Sequence, residues 1–557
     1  MQFNNISYYN QIFLDYISRY DKLDLFFNGD YRKDDVYKNI IDRKSKTYLD
    51  NKLFDRDTIA NILRDQNKFF NSSQKTFDNI ELLREPNTFA VVTGQQTGIL
   101  TGNYYTVLKA LNTVQLSMNL NLKFPDYNFV PVFWLEGDDH DFLEVNNINI
   151  INKQNIIQNF KYFPGDIEQE KYLKPVFEIN LDDCITKFID ELKSGLPKTE
   201  FSENLFDYIN RAYKSGINYV TAFARFMNYL FQDRGLIFCN PTDVEFKKIL
   251  TPVFLKELNT YPRTCEIVID TSAKLEVNYE PQVKPKPINL FFNYNSNRYL
   301  IEPGTDDLFG LKNTRKKFAK NEIFEILDAN PDYFSGNVVL RPVFQDYLLP
   351  TVAYIGGPSE VAYFAQLKNV YEFFNVTMPV IFPRTSITLL ENKVTAFFEK
   401  YQLNFEDFLD SKTIRFLLLE KLDVINVENI FGKYKDEFRS LSYTFEKQLD
   451  LIDKNLVNTF RNKGDKFIEN IEVLKTKFLE SQLKQNEAAV NKLKSISDMI
   501  FPEDNMQERF YNIVYFLNKY GFKFIDYIES KINVYSFEHQ LIDIIFQRLN
   551  SAPEKEN

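Results

Sequence analysis

From residue 89 to residue 383, short β-rich apolar runs alternate with stretches of helical character, and this alternation restricts the chain to few folds. FAVV at 89–92, FVPVFWL at 129–135, GLIFCN at 235–240, NVVLRPVF at 337–344 and VIFP at 380–383 are the runs. Strands separated by helices give a doubly wound, mostly parallel sheet, so an α/β fold with a Rossmann-like core is expected. Residues 1–88 read as helices; Asp55 to Phe70 carries apolar residues at helical spacing. Two stretches interrupt the rhythm and read as insertions hung on the sheet. One spans about 150–215; the other, about 262–335, carries Pro281, Pro285, Pro287 and the hairpin-like INLFFNYNSNRYLIEPG.

Beyond Pro383 the β signal fades. Phe438, Leu441, Phe445, Leu449, Ile452, Leu456 and Phe460 step by three and four, the mark of a helix with a narrow apolar seam. A second seam runs Phe467, Ile471, Leu474, Phe478, with Gly464 and Asp465 between the two. One long coiled-coil helix with a weak point and an antiparallel hairpin both fit. The strongly charged flanks favour an intermolecular role over closure on the chain's own sheet. The expected divisions are 1–88 (helical segment of the core), 89–390 (core with its insertions) and 391–557 (helical coiled-coil and C-terminal domain).

The first run leads into the most distinctive local sequence, VVTGQQTGILTGNYYTVLKA. Strand, glycine-rich turn and helix is the layout of an anion cradle. Gly94, Gly98 and Gly102 are spaced four apart, matching neither the dinucleotide fingerprint nor the P-loop. Thr93, Gly94, Gln95, Gln96, Thr97, Gly98, Gly102 and Lys109 are the candidate binding residues here. The second run ends in Glu136-Gly137-Asp138-Asp139-His140-Asp141, at the carboxyl end of a strand, where α/β sheets gather active-site groups. Asp138 and Asp139, with Asp141, are candidates for Mg²⁺. His140, one of only two histidines, is a candidate general base whose pKa the carboxylates should raise. Taken alone, such a turn is a solvated acidic loop; the cradle nearby favours function.

A third cluster runs from Arg341-Pro342 through a strand to Gly356-Gly357-Pro358-Ser359-Glu360. Pro358 and Glu360 suit a helix start as a plain cap, whereas the two glycines permit close backbone approach. Arg341, Gly356, Gly357, Ser359 and Glu360 are therefore candidate substrate residues, with Glu360 placed to meet an ammonium. Arg384, after VIFP, would complete an anion site. His539 receives no role.

The net charge of −10 argues against a nucleic-acid-binding surface. Cys184, Cys239 and Cys265 are isolated, which speaks against a zinc ribbon and a disulfide framework and fits a reducing cytoplasm. No apolar run reaches membrane-spanning length, and the N-terminus lacks the pattern of a secretory signal.

Three segments together resemble the bacterial bacillithiol-biosynthesis cysteine-adding enzyme family: VVTGQQTGILTGNYYTVLKA, PVFWLEGDDHDFLEVNN and RPVFQDYLLPTVAYIGGPSEVAYFAQL. FCNPTDVEFKKILTPVFLKEL, VIFPRTSITLLE and FPEDNMQERFYNIVYFLNKYG echo it more weakly. The family more often has a small residue and Ser or Thr where this chain has Glu136-Gly137. The resemblance implies a Rossmann-like core with two connecting insertions and a coiled-coil domain that makes a homodimer. It implies a ligase joining cysteine's carboxyl to the amine of glucosaminyl-malate; because that step is uphill in water, activation by ATP is expected, with ATP or ADP as the bound nucleotide and Mg²⁺ as a cofactor. It also implies a nucleotide site involving the helical domain, for which Ser386, Arg509 and Tyr520 are the matching positions. In this reading His140 takes the amine's proton and Asp139 and Asp141 position Mg²⁺, while Lys109 and Arg341 offset phosphate charge. The H-x-G-H and K-M-S-K-S motifs of class I aminoacyl-tRNA-synthetase-like ligases are missing. A nucleotide-sensing dimer without catalysis, or a nucleotidyl or glycosyl transferase on the same sheet, are the rival readings.

Overall fold

The computed structural model describes all residues except 4–5, 7–8, 52–54, 166–172, 306, 411–412, 423–426 and 546–557. The described chain forms two compact units. The first comprises Met1–Thr388 and Glu508–Leu541, and the second Leu389–Gln507 and Ile542–Ile545. Residues 508–541, grouped with the helical domain on sequence, thus pack within the first unit.

The first unit is built on a five-stranded parallel sheet: β1 (Thr88–Gln96), β2 (Asn128–Glu136), β3 (Ile237–Cys239), β4 (Thr351–Gly356) and β5 (Val380–Pro383). Their spatial order is β3-β2-β1-β4-β5, all pairs parallel. Buried on both faces, these strands read as near-continuous apolar runs. The order reverses between β1 and β4, the place where open α/β sheets leave a crevice at the strands' carboxyl ends. Register brings Gly94 beside Trp134 and Gln96 beside Glu136.

One of the five expected strands is wrong. NVVLRPVF forms a turn and then helix α2 (Arg341–Leu348), and the adjoining strand Phe334–Gly336 belongs to a second, antiparallel sheet. Pro342 explains the difference, since a missing N–H suits the first helical turn but would break a central ladder. The 262–335 region holds that antiparallel sheet, with strands Leu290–Tyr294 and Asn297–Pro303 paired as the hairpin the sequence suggested. Asn295 and Ser296 turn it with φ of +50° and +58°, the primed geometry that matches strand twist. The 150–215 region carries the helices Cys184–Gly195 and Ser202–Ala212.

The glycine-rich turn is packed rather than open. After β1 the chain makes a short turn at Ile99–Thr101 before helix α1 (Tyr105–Lys123). Gly98 is needed because a Cβ there would lie 2.8 Å from the Gly102 Cα, and Gly102 itself has φ of +65°. The turn's N–H groups are already engaged: Leu100 N donates to Tyr213 Oη at 2.8 Å and Tyr104 N to the Tyr511 carbonyl at 2.8 Å. Asn512 Nδ2 bonds the Leu100 carbonyl at 2.8 Å. An anion cradle of free helix N–H groups therefore does not form here.

In the second unit α4 (Val427–Asp450) and α5 (Lys454–Gln485) form an antiparallel hairpin. Phe445 meets Phe460 with ring centroids 5.0 Å apart, and Phe438 meets Phe467 at 4.4 Å. Arg461 NH2 bonds Glu446 Oε2 at 2.9 Å across the pair. The two sequence seams thus face each other, and the turn falls at 451–453 rather than at Gly464, which is helical. Leu441 is 69% exposed and Ile452 80% exposed, so part of the first seam stays uncovered.

Candidate functional site

At the switch point between β1 and β4 lies a cavity of about 480 Å³. β1 contributes Gly94, Gln95 and Gln96, and the loop after β2 contributes Glu136, Asp139 and His140. Lys109 comes from α1, Arg341 from α2, and Gly357, Ser359 and Glu360 from the start of helix α3 (Pro358–Phe364); Arg384 follows β5. Arg509 also lines it. The three sequence clusters thus converge, as parallel strands with ends side by side require.

Several candidates do not reach the cavity. Thr93 Oγ1 donates to the Ile355 carbonyl at 3.0 Å and ties β1 to β4. Thr97, Gly98 and Gly102 shape the packed turn, and Gly356 O accepts from Arg384 N at 2.8 Å. Asp138 turns away: its Oδ2 lies 2.8 Å from the buried Lys247 Nζ. Asp141 is exposed at the start of the helix Phe142–Val145. Among the described residues no group of three or more His, Cys, Asp or Glu side chains is placed to hold a metal. Of the three carboxylates named for Mg²⁺, only Asp139 lines the cavity.

Glu360 is fully engaged as well. Its Oε2 accepts from Lys109 Nζ at 2.7 Å and Gly357 N at 2.8 Å, and its Oε1 from Tyr354 Oη at 2.6 Å. Burial opposes its charge, but Lys109 and these donors hold the carboxyl below its usual range. Burial also brings Lys109 down to about 8. Lys109 donates in addition to the Gly94 carbonyl and, at 3.2 Å, to Gln95 Oε1. The pair fixes the end of β1 against α3; the expected ammonium partner is thus the protein's own lysine.

Burial lowers the pKa of His140, and Arg298 adds to this against Asp139 and Asp141. This reverses the expected rise, first because the imidazole is partly buried and then because Arg298 arrives from the second insertion, far away in sequence. Arg298 NH1 lies 3.6 Å from Asp139 Oδ1, and its guanidinium sits 3.9 Å over the Phe291 ring. Gln96 Nε2 donates to Asp139 Oδ2 at 2.6 Å, and the His140 N–H to Oδ1 at 2.7 Å. His140 Nδ1 is buried without a hydrogen-bond partner. Arg341 is held by neutral groups: NH2 donates to Tyr363 Oη at 3.0 Å and NH1 to Gln345 Oε1 at 3.3 Å. Among the described residues it makes no salt bridge, which leaves its charge for a ligand.

Of the expected nucleotide residues only Arg509 lines the cavity; Arg509 and Arg384 flank the Tyr105 ring at 5.9 and 5.5 Å. Tyr520 stacks on Phe524 at 5.0 Å. Ser386 is buried in a network with Glu508 and His539. Arg384 NH2 donates to Glu508 Oε1 at 2.7 Å, and Ser386 Oγ to the same oxygen at 3.0 Å. Ser386 Oγ then accepts from His539 Nδ1 at 2.8 Å, which leaves Nε2 to accept from Thr388 Oγ1 at 2.9 Å. His539, given no role on sequence, is thus a neutral tether behind Arg384.

Burial, with Arg384 and the amino terminus, lowers the His539 pKa from 6.5 to about 4 against the pull of Glu508. Between these values the unfolded state binds the proton and the folded state does not, so stability falls as pH falls through this window. Thermal melts across that range should show this acid limb, and His539→Gln should flatten it; an unchanged slope would remove His539 from the account.

Sequence reasoning missed Arg298, Phe291, Tyr105, Tyr354 and Tyr363. Arg298 and Phe291 lie in a hairpin without motif character. Tyr354 and Tyr363 flank the noted glycines, and their position one strand end and one helical turn away was the available signal.

Family models describe the chain along nearly its whole length. Residues 1–385 match the model for the bacillithiol biosynthesis BshC N-terminal Rossmann-like domain, and 387–544 that for the BshC C-terminal coiled-coil domain. Proteins named "Putative cysteine ligase BshC" are similar throughout. The one from Chloroherpeton thalassium is 32% identical over 551 residues, covering 96% of each chain. That from Salinibacter ruber is 31% identical over 540 residues, again 96% of each. That from Bacillus cytotoxicus is 30% identical over 510 residues, 90% of this chain and 93% of its own. By these matches over both units, the chain belongs to the bacillithiol biosynthesis BshC family.

Proposed function

We propose that this chain is a ligase that joins the cysteine carboxyl to the amine of glucosaminyl-malate, completing bacillithiol. The observation that carries the reading is Arg341, a guanidinium facing the cavity among neutral phenols and an amide, ready for a substrate carboxylate. His140, neutral because it is buried beside Arg298, is suited to take a proton from the attacking amine. The Lys109–Glu360 pair keeps the end of β1 and the start of α3 in fixed relation, so the reactants meet in one geometry.

Amide formation from a free carboxylate in water is uphill, so the carboxylate must first be activated. ATP, when bound, would supply that activation, with Arg509, which lines the cavity, as the cation facing its phosphates and Arg384 held beside it by Glu508. The same reading includes a homodimer through the second unit's hairpin, supported by exposed Leu441 and Ile452.

The test is to incubate purified protein with ATP, cysteine and glucosaminyl-malate, with and without Mg²⁺, and to follow thiol product and released nucleotide. Turnover is expected, lowered about 10²-fold or more by His140→Ala, from a protein that light scattering finds at twice the chain mass. Nucleotide binding without product, even with cell extract added, would favour the nucleotide-sensing alternative.

A further inference from the structure

The geometry points to Glu136 as the residue that binds a substrate's primary ammonium group, opposite the carboxylate-binding Arg341; this rests on the ligase reading above. The cavity holds three carboxylates at the ends of its strands and helices, and two are already taken. Glu360 is saturated by Lys109, Tyr354 and the Gly357 N–H. Asp139 is held by Gln96, the His140 N–H and the Arg298 guanidinium. Glu136 differs. It ends β2 directly beside Gln96 of β1, and among the described residues it accepts one hydrogen bond, from Trp134 Nε1 at 3.2 Å, and forms no salt bridge.

A carboxylate lining a cavity with one neutral donor has unfilled acceptor positions, and burial makes leaving them unfilled costly. Burial, with Asp138 and Asp139 of its own loop, pushes the Glu136 carboxyl up to about 7 against the pull of Arg341 and Arg298, so an ammonium seated on it would favour its charged form. Arg298 is committed to Asp139 and Asp138 to Lys247, whereas Arg341 and Glu136 form no salt bridge among the described residues. A ligand carrying both a carboxylate and a primary ammonium complements that pair. Cysteine and glucosaminyl-malate each qualify, and both would present the nitrogen near His140.

Calorimetry on the full-length protein tests this with matched probes: glucosaminyl-malate against its N-acetyl form, and cysteine against 3-mercaptopropionate. In each pair the second compound keeps the carboxylate and lacks the ammonium. The unmodified protein should prefer the amine in at least one pair by about 10- to 100-fold, the range for a hydrogen bond to a charged group. Glu136→Gln should abolish that preference while leaving the amine-free compound bound within about twofold, which also reports an intact site; Glu136→Asp should keep part of it. The pair that loses its preference identifies whose ammonium Glu136 holds. Retained preference in Glu136→Gln would overturn the assignment, as would equal loss of the amine-free compound. If the unmodified protein binds neither cysteine nor glucosaminyl-malate, the ligase reading itself falls and the assignment with it.

Discussion

Arg341→Gln should lower kcat/KM for thiol formation by about 10²- to 10³-fold, corresponding to ~3–4 kcal/mol for removing one partner of a desolvated charge pair. Arg341 already has its neutral partners in place, so it is held in position before any substrate arrives. Arg341→Lys should recover little, because an ammonium cannot present the planar fork to a carboxylate. Steady-state assays with each substrate varied in turn would report the loss as a raised KM for the substrate whose carboxylate Arg341 binds. Wild-type kinetics in Arg341→Gln, with the fold intact by circular dichroism, would remove the central support for the ligase reading.

Glu508→Ala should have the largest effect on stability, about 3–5 kcal/mol, the cost of leaving a buried charge without its partner. The side chains of Arg384 and Glu508 are 2% and 0% exposed, so water cannot replace the lost carboxylate. Glu508 also accepts from Ser386 Oγ and from the Ile387 N–H at 2.8 Å, so the deletion orphans several donors together. The lowest thermal transition should drop by several degrees. Replacing both partners, Glu508→Leu with Arg384→Met, should restore much of it, since an apolar pair leaves no isolated charge. Arg384→Met also removes a cation from the cavity, so that double variant should regain stability without regaining activity. A melting point unchanged in Glu508→Ala would show that the network carries no stability.

The strands β1, β2, β3 and β5 were legible because a sheet covered on both faces demands uninterrupted apolar runs, and such runs survive in any reading of the chain. NVVLRPVF misled because its apolar residues fit a strand as well as a buried helix; Pro342 was the arbiter. The helical seams were legible through their spacing, but not the position of the turn. Gly464 looked like the weak point, yet the chain reverses at 451–453, which brings Phe445 against Phe460 and Phe438 against Phe467.

For the site, the sequence determined which three segments meet at the cavity: GQQTG, the acidic run ending in His140, and GGPSE. It did so because those residue types at strand ends have few other uses. What only the tertiary structure decided was which side chains are free to act. Glu360 and Asp138 look as available as Glu136 in the sequence, but Lys109 and Lys247 pair with the first two, whereas Glu136 has no salt bridge among the described residues. The direction of the His140 shift was equally hidden, since it comes from burial in the folded site and then from Arg298, which reaches it from a hairpin some 150 residues away in the chain. Charge compensation depends on distance in space and falls off within a few ångströms, so no pattern along the chain could reveal it.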